Sequence, residues 1–225
     1  MDEDLSAAAS IAWDQALLAP IVELNERLLE QLQAVACAVR AAGGALVVSR
    51  VQRVPEFVHG LLHEWCALDT AALRRLAQCP YLLLDAGFDD PLRWQAGSSL
   101  AVHETDCVPH AGGVLWVGDG WPALVRRTLL LGWHMARAQP LAARVLLGMN
   151  AASAESIAAC RLTDLDELAV REAGRVCPRW QRQPQVWRQL LRAAHGSAQE
   201  LRWTQLRGLQ LLAAARPTTL SGTAA

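Results

Sequence analysis

Between residues 11 and 42 apolar side chains return every three or four positions, at Leu17, Val22 or Ile21, Leu24, Leu28, Leu32, Val35 and Val39, until Gly43-Gly44 ends the series. That is the α-helical period, so the stretch predicts one long helix with a continuous apolar stripe. A stripe of that length is stable only when other elements cover it, which commits the chain to a helix-packed core. Composition agrees, since 52% apolar and 19% charged residues in a 225-residue chain can bury a sizeable interior.

Further along, Ala45 to Val51 is β-branched and short, a strand or a piece of extended chain, and Pro55 opens a helix running to about Trp65. Asp69 or Thr70 is placed to cap a helix over 71–78. Tyr81-Leu82-Leu83-Leu84 reads as a buried extended segment that ends in the Asp85–Pro91 turn. Residues 95–122 hold five of the fifteen glycines together with Pro109 and Pro122, the composition of a linker, with a short strand expected at Val114 to Val117. A second long helix starts at Pro122, is interrupted or restarted at Pro140 and stops at Gly148. Ser153 is a candidate cap for a short helix to Cys160, and Thr163 for another over 164–172 with Leu165, Leu168 and Ala169 inward. An extended Val176–Trp180 stretch and a helical region over 184–215 follow. The expected class is all-α, mainly helical with a few short extended segments. The expected divisions are an N-terminal helical domain (1–95), a linker (96–121), a second helical domain (122–216) and a flexible tail (217–225).

Charge is unevenly spread. Residues 1–30 hold seven acids against the single Arg27, whereas 171–216 hold nine Arg against Glu172 and Glu200. All 21 basic residues are Arg, the better bidentate ligand for phosphate and guanine, though a GC-rich genome produces the same bias. The start, Met1-Asp2-Glu3-Asp4, is acidic where a secretory leader is basic, and charged residues break every apolar run before it reaches membrane-spanning length, so the expected location is cytoplasmic. Six cysteines without a Cys-x-x-Cys pair are then expected to be reduced thiols.

Residues 129–169 carry a resemblance. The Leu129-Leu130-Leu131 helix is followed by Ala143, then Leu147-Gly148-Met149-Asn150, then Ala154, Ile157, Ala159 and Leu162, then Leu168-Ala169. This order and spacing resembles the FlhD family of flagellar transcriptional regulators, over about a fifth of the chain, with looser similarity as far as residue 192. Leu-Gly-aliphatic-Asn is its most distinctive piece, Gly148 supplying a left-handed helix end and Asn150 a cap. The resemblance implies an all-helical homodimer that activates transcription with an FlhC-like partner subunit and performs no catalysis. It places Leu124, Leu131, Met135 and Cys177 at a dimer interface, Cys177 matching a cysteine of the family that can cross-link the dimer. As a lone residue, Cys177 reads more simply as a small buried hydrophobe. The chain departs from the family in its length, in Pro140 within the dimerisation helix, and in Pro178 and Trp180 after the cysteine. Leu68, Leu73, Leu76-Ala77, Leu82-Leu83 and Phe88-Asp89-Asp90 follow the spacing of the second half. The N-terminal half is therefore either a degenerate copy, making an intrachain pseudo-dimer, or an unrelated helical domain.

Two ways of meeting DNA can be drawn. A helix-turn-helix over Ser153–Cys160 and Thr163–Glu172 would present Asp164, Asp166 and Glu167 to the phosphates, which repel them. The better candidates are Arg171, Arg175, Arg179, Arg182, Arg188 and Arg192, interleaved with Trp180 and Trp187, although a solvated Arg face would look the same. His59, His63 and Cys66, and separately His103, Cys107 and His110, stand at spacings that can chelate a metal, yet neither set has four ligands, so neither metal nor cofactor is expected. Asp85, Asp89 and Asp90 fit a turn better than a cation site. With no Gly-x-Ser-x-Gly elbow, phosphate loop or dinucleotide fingerprint, an enzyme has no support in the sequence. Two readings stand: an FlhD-like regulator, and a helical adaptor that binds proteins without touching DNA.

Overall fold

A computed structural model of the chain describes residues 15–43, 54–94 and 120–214. Among them are ten α-helices and one two-stranded sheet, in the order α1 (Gln15–Ala41), α2 (Glu56–His59), α3 (Leu62–Ala67), α4 (Thr70–Ala77), β1 (Leu84–Asp85), α5 (Trp121–Ala138), α6 (Pro140–Leu147), α7 (Ala151–Ala159), α8 (Leu162–Glu172), β2 (Cys177–Pro178), α9 (Pro184–His195) and α10 (Ala198–Ala214). The protein is predominantly helical, as the periodicity requires. No helix among the described residues is long and apolar enough to cross a membrane. The strands expected at Ala45–Val51 and Val114–Val117, and the His103, Cys107, His110 set, lie outside the described residues.

The apolar stripe of α1 is buried at Ile21, Leu24, Leu28, Leu32 and Val39, with Val22 and Val35 at its margin. It is covered by α3 and α4 on one side and by the second long helix, α5, on another. One continuous core therefore runs from Ile21 to Leu212 and takes side chains from both sides of the Gly-rich stretch. Tyr81, Leu82, Leu83 and Leu84 are fully buried at its centre. Their backbone is satisfied without a wide sheet: Leu84 pairs with Pro178 and Asp85 with Cys177 in the antiparallel β1–β2 ladder, and Leu82 N–H donates to the Leu146 carbonyl at 3.0 Å.

Local chemistry sets most helix ends. Asp69 caps α4, its carboxylate accepting from Ala72 N–H at 2.6 Å. The break at Pro140 separates α5 from α6, and Gly148, at φ 73°, takes the left-handed position that closes α6. Of the two caps offered for α7, Asn150 rather than Ser153 begins the helix, accepting from Ser153 N–H at 2.6 Å while Ser153 itself is buried. Helix α8 begins at Leu162 rather than after Thr163, since the Asp164 carboxylate reaches back to Arg161 N–H at 3.1 Å. The single helix expected from Pro55 to Trp65 is two: Gly60 and Leu61 turn the chain, so that Phe57, Val58, Leu61 and Trp65 can all be buried. The 184–215 region likewise splits at Gly196-Ser197.

Beneath α9, Trp187 stacks on Phe57 with ring centroids 5.2 Å apart and tilts against Trp65 at 5.4 Å. These contacts join the C-terminal helices to α2 and α3, and such pairs add about 1 kcal/mol each beyond their buried area. Helix α10 lies against the same centre through Gly208, where an added Cβ would collide with the Tyr81 hydroxyl.

Candidate interaction face

The six arginines singled out in the sequence do not share one surface. Arg171 and Arg175 gather with Arg93 around Glu172, whose side chain is 1% exposed at the end of α8. Arg93 Nε donates to Glu172 Oε2 at 2.6 Å, Arg171 Nε donates to Oε1 at 3.0 Å, and Arg175 Nη1 stands 3.9 Å from Oε2. A carboxylate taken out of water needs such partners, and here one comes from a turn 79 residues earlier. Replacing Glu172 with Gln removes the counter-charge while nearly keeping the shape. The expected loss is about 2–3 kcal/mol of stability, read as a fall in urea midpoint with unchanged slope.

Arg179 is interior, 8% exposed. Its Nε donates to the Leu82 carbonyl at 3.0 Å, and its Nη2 donates to Leu84 at 3.0 Å and Leu147 at 3.1 Å. The guanidinium faces a shallow hollow lined also by Asp85, Phe88, Asp89, Gly148 and Leu212. Burial and the neighbouring Asp85 raise the Asp89 carboxyl above its ordinary value, and Arg179 opposes that rise. This corrects the sequence reading, in which Arg179 stood in an exposed basic run: it is buried, and its Nε and Nη2 donate to backbone carbonyls. Arg188 faces Glu64 at 3.9 Å.

Arg182, Arg192, Arg202 and Arg207 remain exposed, with no ion pair among the described residues. Arg182 precedes α9, Arg192 is in its last turn, and Arg202 and Arg207 belong to α10, which packs on α9. Between the last two, Trp203 is 60% and Leu206 50% exposed. An open tryptophan flanked by arginines supplies the two residue types, Trp and Arg, that are enriched in protein-binding hot spots, and the open Leu206 one turn on extends its apolar area. The sequence carried the signal: α10 holds more large apolar residues than one buried stripe, here Leu201 and Leu212 with Gly208, can absorb.

The residues implied as a dimer interface are used within the chain. Leu124, Leu131 and Met135 are 2%, 8% and 2% exposed in the intrachain core, where α1 covers α5, and offer no free surface to a second copy. Cys177 sits in β2, and burial pushes its thiol up to about 12, as befits an inert interior cysteine. His59 and His63 occupy different helices, α2 and α3, and among the described residues no three potential metal ligands converge. Asp85 accepts from Gly87 N–H at 2.9 Å, which makes it a turn residue. The acidic face of α8 is tied down in part, Arg126 Nε donating to Asp166 at 2.5 Å.

Comparisons of the chain with protein-family models, with curated proteins and with solved structures find no match.

Proposed function

We propose that this chain is a non-catalytic, FlhD-like regulator that works through a protein partner held on the α9–α10 pair and reaches DNA chiefly in that partner's company. The observation that carries it is the sorting of the arginines: of the six in the sequence run, Arg182 and Arg192 have no ion pair among the described residues while Arg171, Arg175, Arg179 and Arg188 are engaged within the chain, and Arg202 and Arg207 flank the exposed Trp203 and Leu206. Four phosphate contacts sustain only weak binding, falling about 10²-fold between 50 and 200 mM salt. A regulator that relies on this face needs a second subunit, and an FlhC-like protein is the partner that the resemblance names. In the same proposal the two halves stand for the two subunits of a dimer. What supports this is the order they share: a long helix, short helices and a two-residue strand, with α1 against α5 and β1 beside β2. The exposed Trp203 and Leu206 also favour a second reading, an adaptor that binds proteins and no DNA.

The test is binding to duplex DNA fragments at two salt concentrations, by the chain alone and with an FlhC-like subunit, beside the variant Arg182→Ala/Arg192→Ala/Arg202→Ala/Arg207→Ala. The expected result is weak, salt-sensitive binding alone, tighter binding with the partner, and loss of at least tenfold in the variant. Partner binding without any DNA binding selects the adaptor. Wild-type DNA affinity in the variant removes this surface from the proposal.

A further inference from the structure

Cys37, in α1, and Cys66, in α3, are free thiols with sulfurs 3.1 Å apart, both half-buried. Their helices lie along one another, and Gln33, one turn before Cys37, holds them in register by donating to the Trp65 carbonyl at 3.3 Å and the Leu68 carbonyl at 2.7 Å. The sulfurs therefore meet through packed helices. Cys79 is sealed in the core and Cys160 hydrogen-bonds its own helix, so no other described cysteine is given a cysteine partner.

We propose that Cys37 and Cys66 are a redox-responsive pair that a hydroperoxide converts to an intrachain disulfide clasping α1 to α3. In the first step one thiolate attacks the peroxide oxygen, the O–O bond breaks, the sulfur becomes a sulfenic acid, and the leaving oxygen departs as water or alcohol. In the second step the other thiolate attacks the sulfenic sulfur, the S–S bond forms, and hydroxide leaves as water on taking up a proton. Two thiols and one hydroperoxide thus give one disulfide, one water and one alcohol (a second water from hydrogen peroxide), the sulfurs supplying two electrons. Burial, the Cys37 thiol and its hydrogen bond raise the Cys66 thiol, while Arg40 pulls the other way. Thiolate at Cys66 is consequently scarce at neutral pH, and disulfide formation is faster as pH rises.

Helix α3 carries Trp65, against which Trp187 of α9 packs, so the clasp stiffens the base on which the C-terminal helices rest. The loop closed is 29 residues long in separation, for which the expected gain in melting temperature is about 5–10 °C.

The experiment treats the full chain with hydrogen peroxide, blocks remaining thiols by alkylation, and maps peptides by mass spectrometry without reduction, with melting followed before and after dithiothreitol. A linked Cys37–Cys66 peptide and a thermal gain reversed by dithiothreitol are expected, and both vanish in Cys37→Ser and in Cys66→Ser. Oxidation of either cysteine to sulfinic acid, or to links between chains, without the internal bridge overturns the proposal. Mapping of the wild-type protein decides the matter even where a serine variant folds poorly.

Discussion

Replacing Arg179 with Met is expected to lower the stability of the protein by about 4 kcal/mol and its melting temperature by on the order of 10 °C. The methionine keeps much of the side chain's bulk but none of its donors. It strips the Leu82, Leu84 and Leu147 carbonyls of a charged partner, and hydrogen bonds to charged groups contribute about 1.5–3 kcal/mol each. The hollow beside the guanidinium admits some water, which is why the sum of the three is not reached. Arg179→Lys keeps the charge without the planar fork and should lose roughly half as much. Urea unfolding checks both. A Met variant as stable as the wild type would return Arg179 to the surface and to the list of DNA candidates.

Asn25→Leu is expected to cost about 3–5 kcal/mol although the new side chain is apolar and of similar size. Asn25 is fully buried on α1. Its amide donates to the Tyr81 carbonyl at 2.9 Å, with longer contacts to Ala77 at 3.3 Å and Cys79 at 3.4 Å, and its oxygen accepts from Leu83 N–H at 2.8 Å. Four backbone groups, two of them in the central Tyr81–Leu84 segment, lose a partner at once in the buried interior. Asn25 and Arg179 hold the two sides of one segment, since Arg179 N–H also donates to the Leu83 carbonyl at 2.7 Å. The double variant should therefore lose measurably less than the two single losses added together, because each single change already loosens Tyr81–Leu84. Thermal melts of the three variants give that coupling directly. Full additivity would mean that the segment is held by its apolar packing and that the polar bonds act independently.

The functional reading turns on the fate of the arginines. As a sequence run, Arg171, Arg175, Arg179, Arg182, Arg188 and Arg192 look alike: each is a long basic side chain among Gln, Trp and small residues. In the fold they divide by what lies across from them, namely a buried carboxylate, a set of carbonyls, Glu64, or solvent. The last group has no ion pair among the described residues, and it is joined by Arg202 and Arg207 of α10. The proposed surface is thus smaller and further toward the C-terminus than the sequence suggested, and it includes Trp203 and Leu206.

Local structure was legible in the sequence. The stripe of α1, the Asp69 cap, the buried Tyr81–Leu84 segment, the Gly148 helix end and the stop at Pro140 all follow from interactions within a few residues, whose geometry any neighbour-independent reading can weigh. Which polar groups are interior depends on long-range packing. Asn25 meets the Tyr81 carbonyl, 56 positions away, Glu172 meets Arg93 at 79, and Arg179 meets the Leu82 carbonyl at 97. Desolvation depends on what packs over a group, and the covering atoms come from parts of the chain whose distance in sequence leaves no periodic trace.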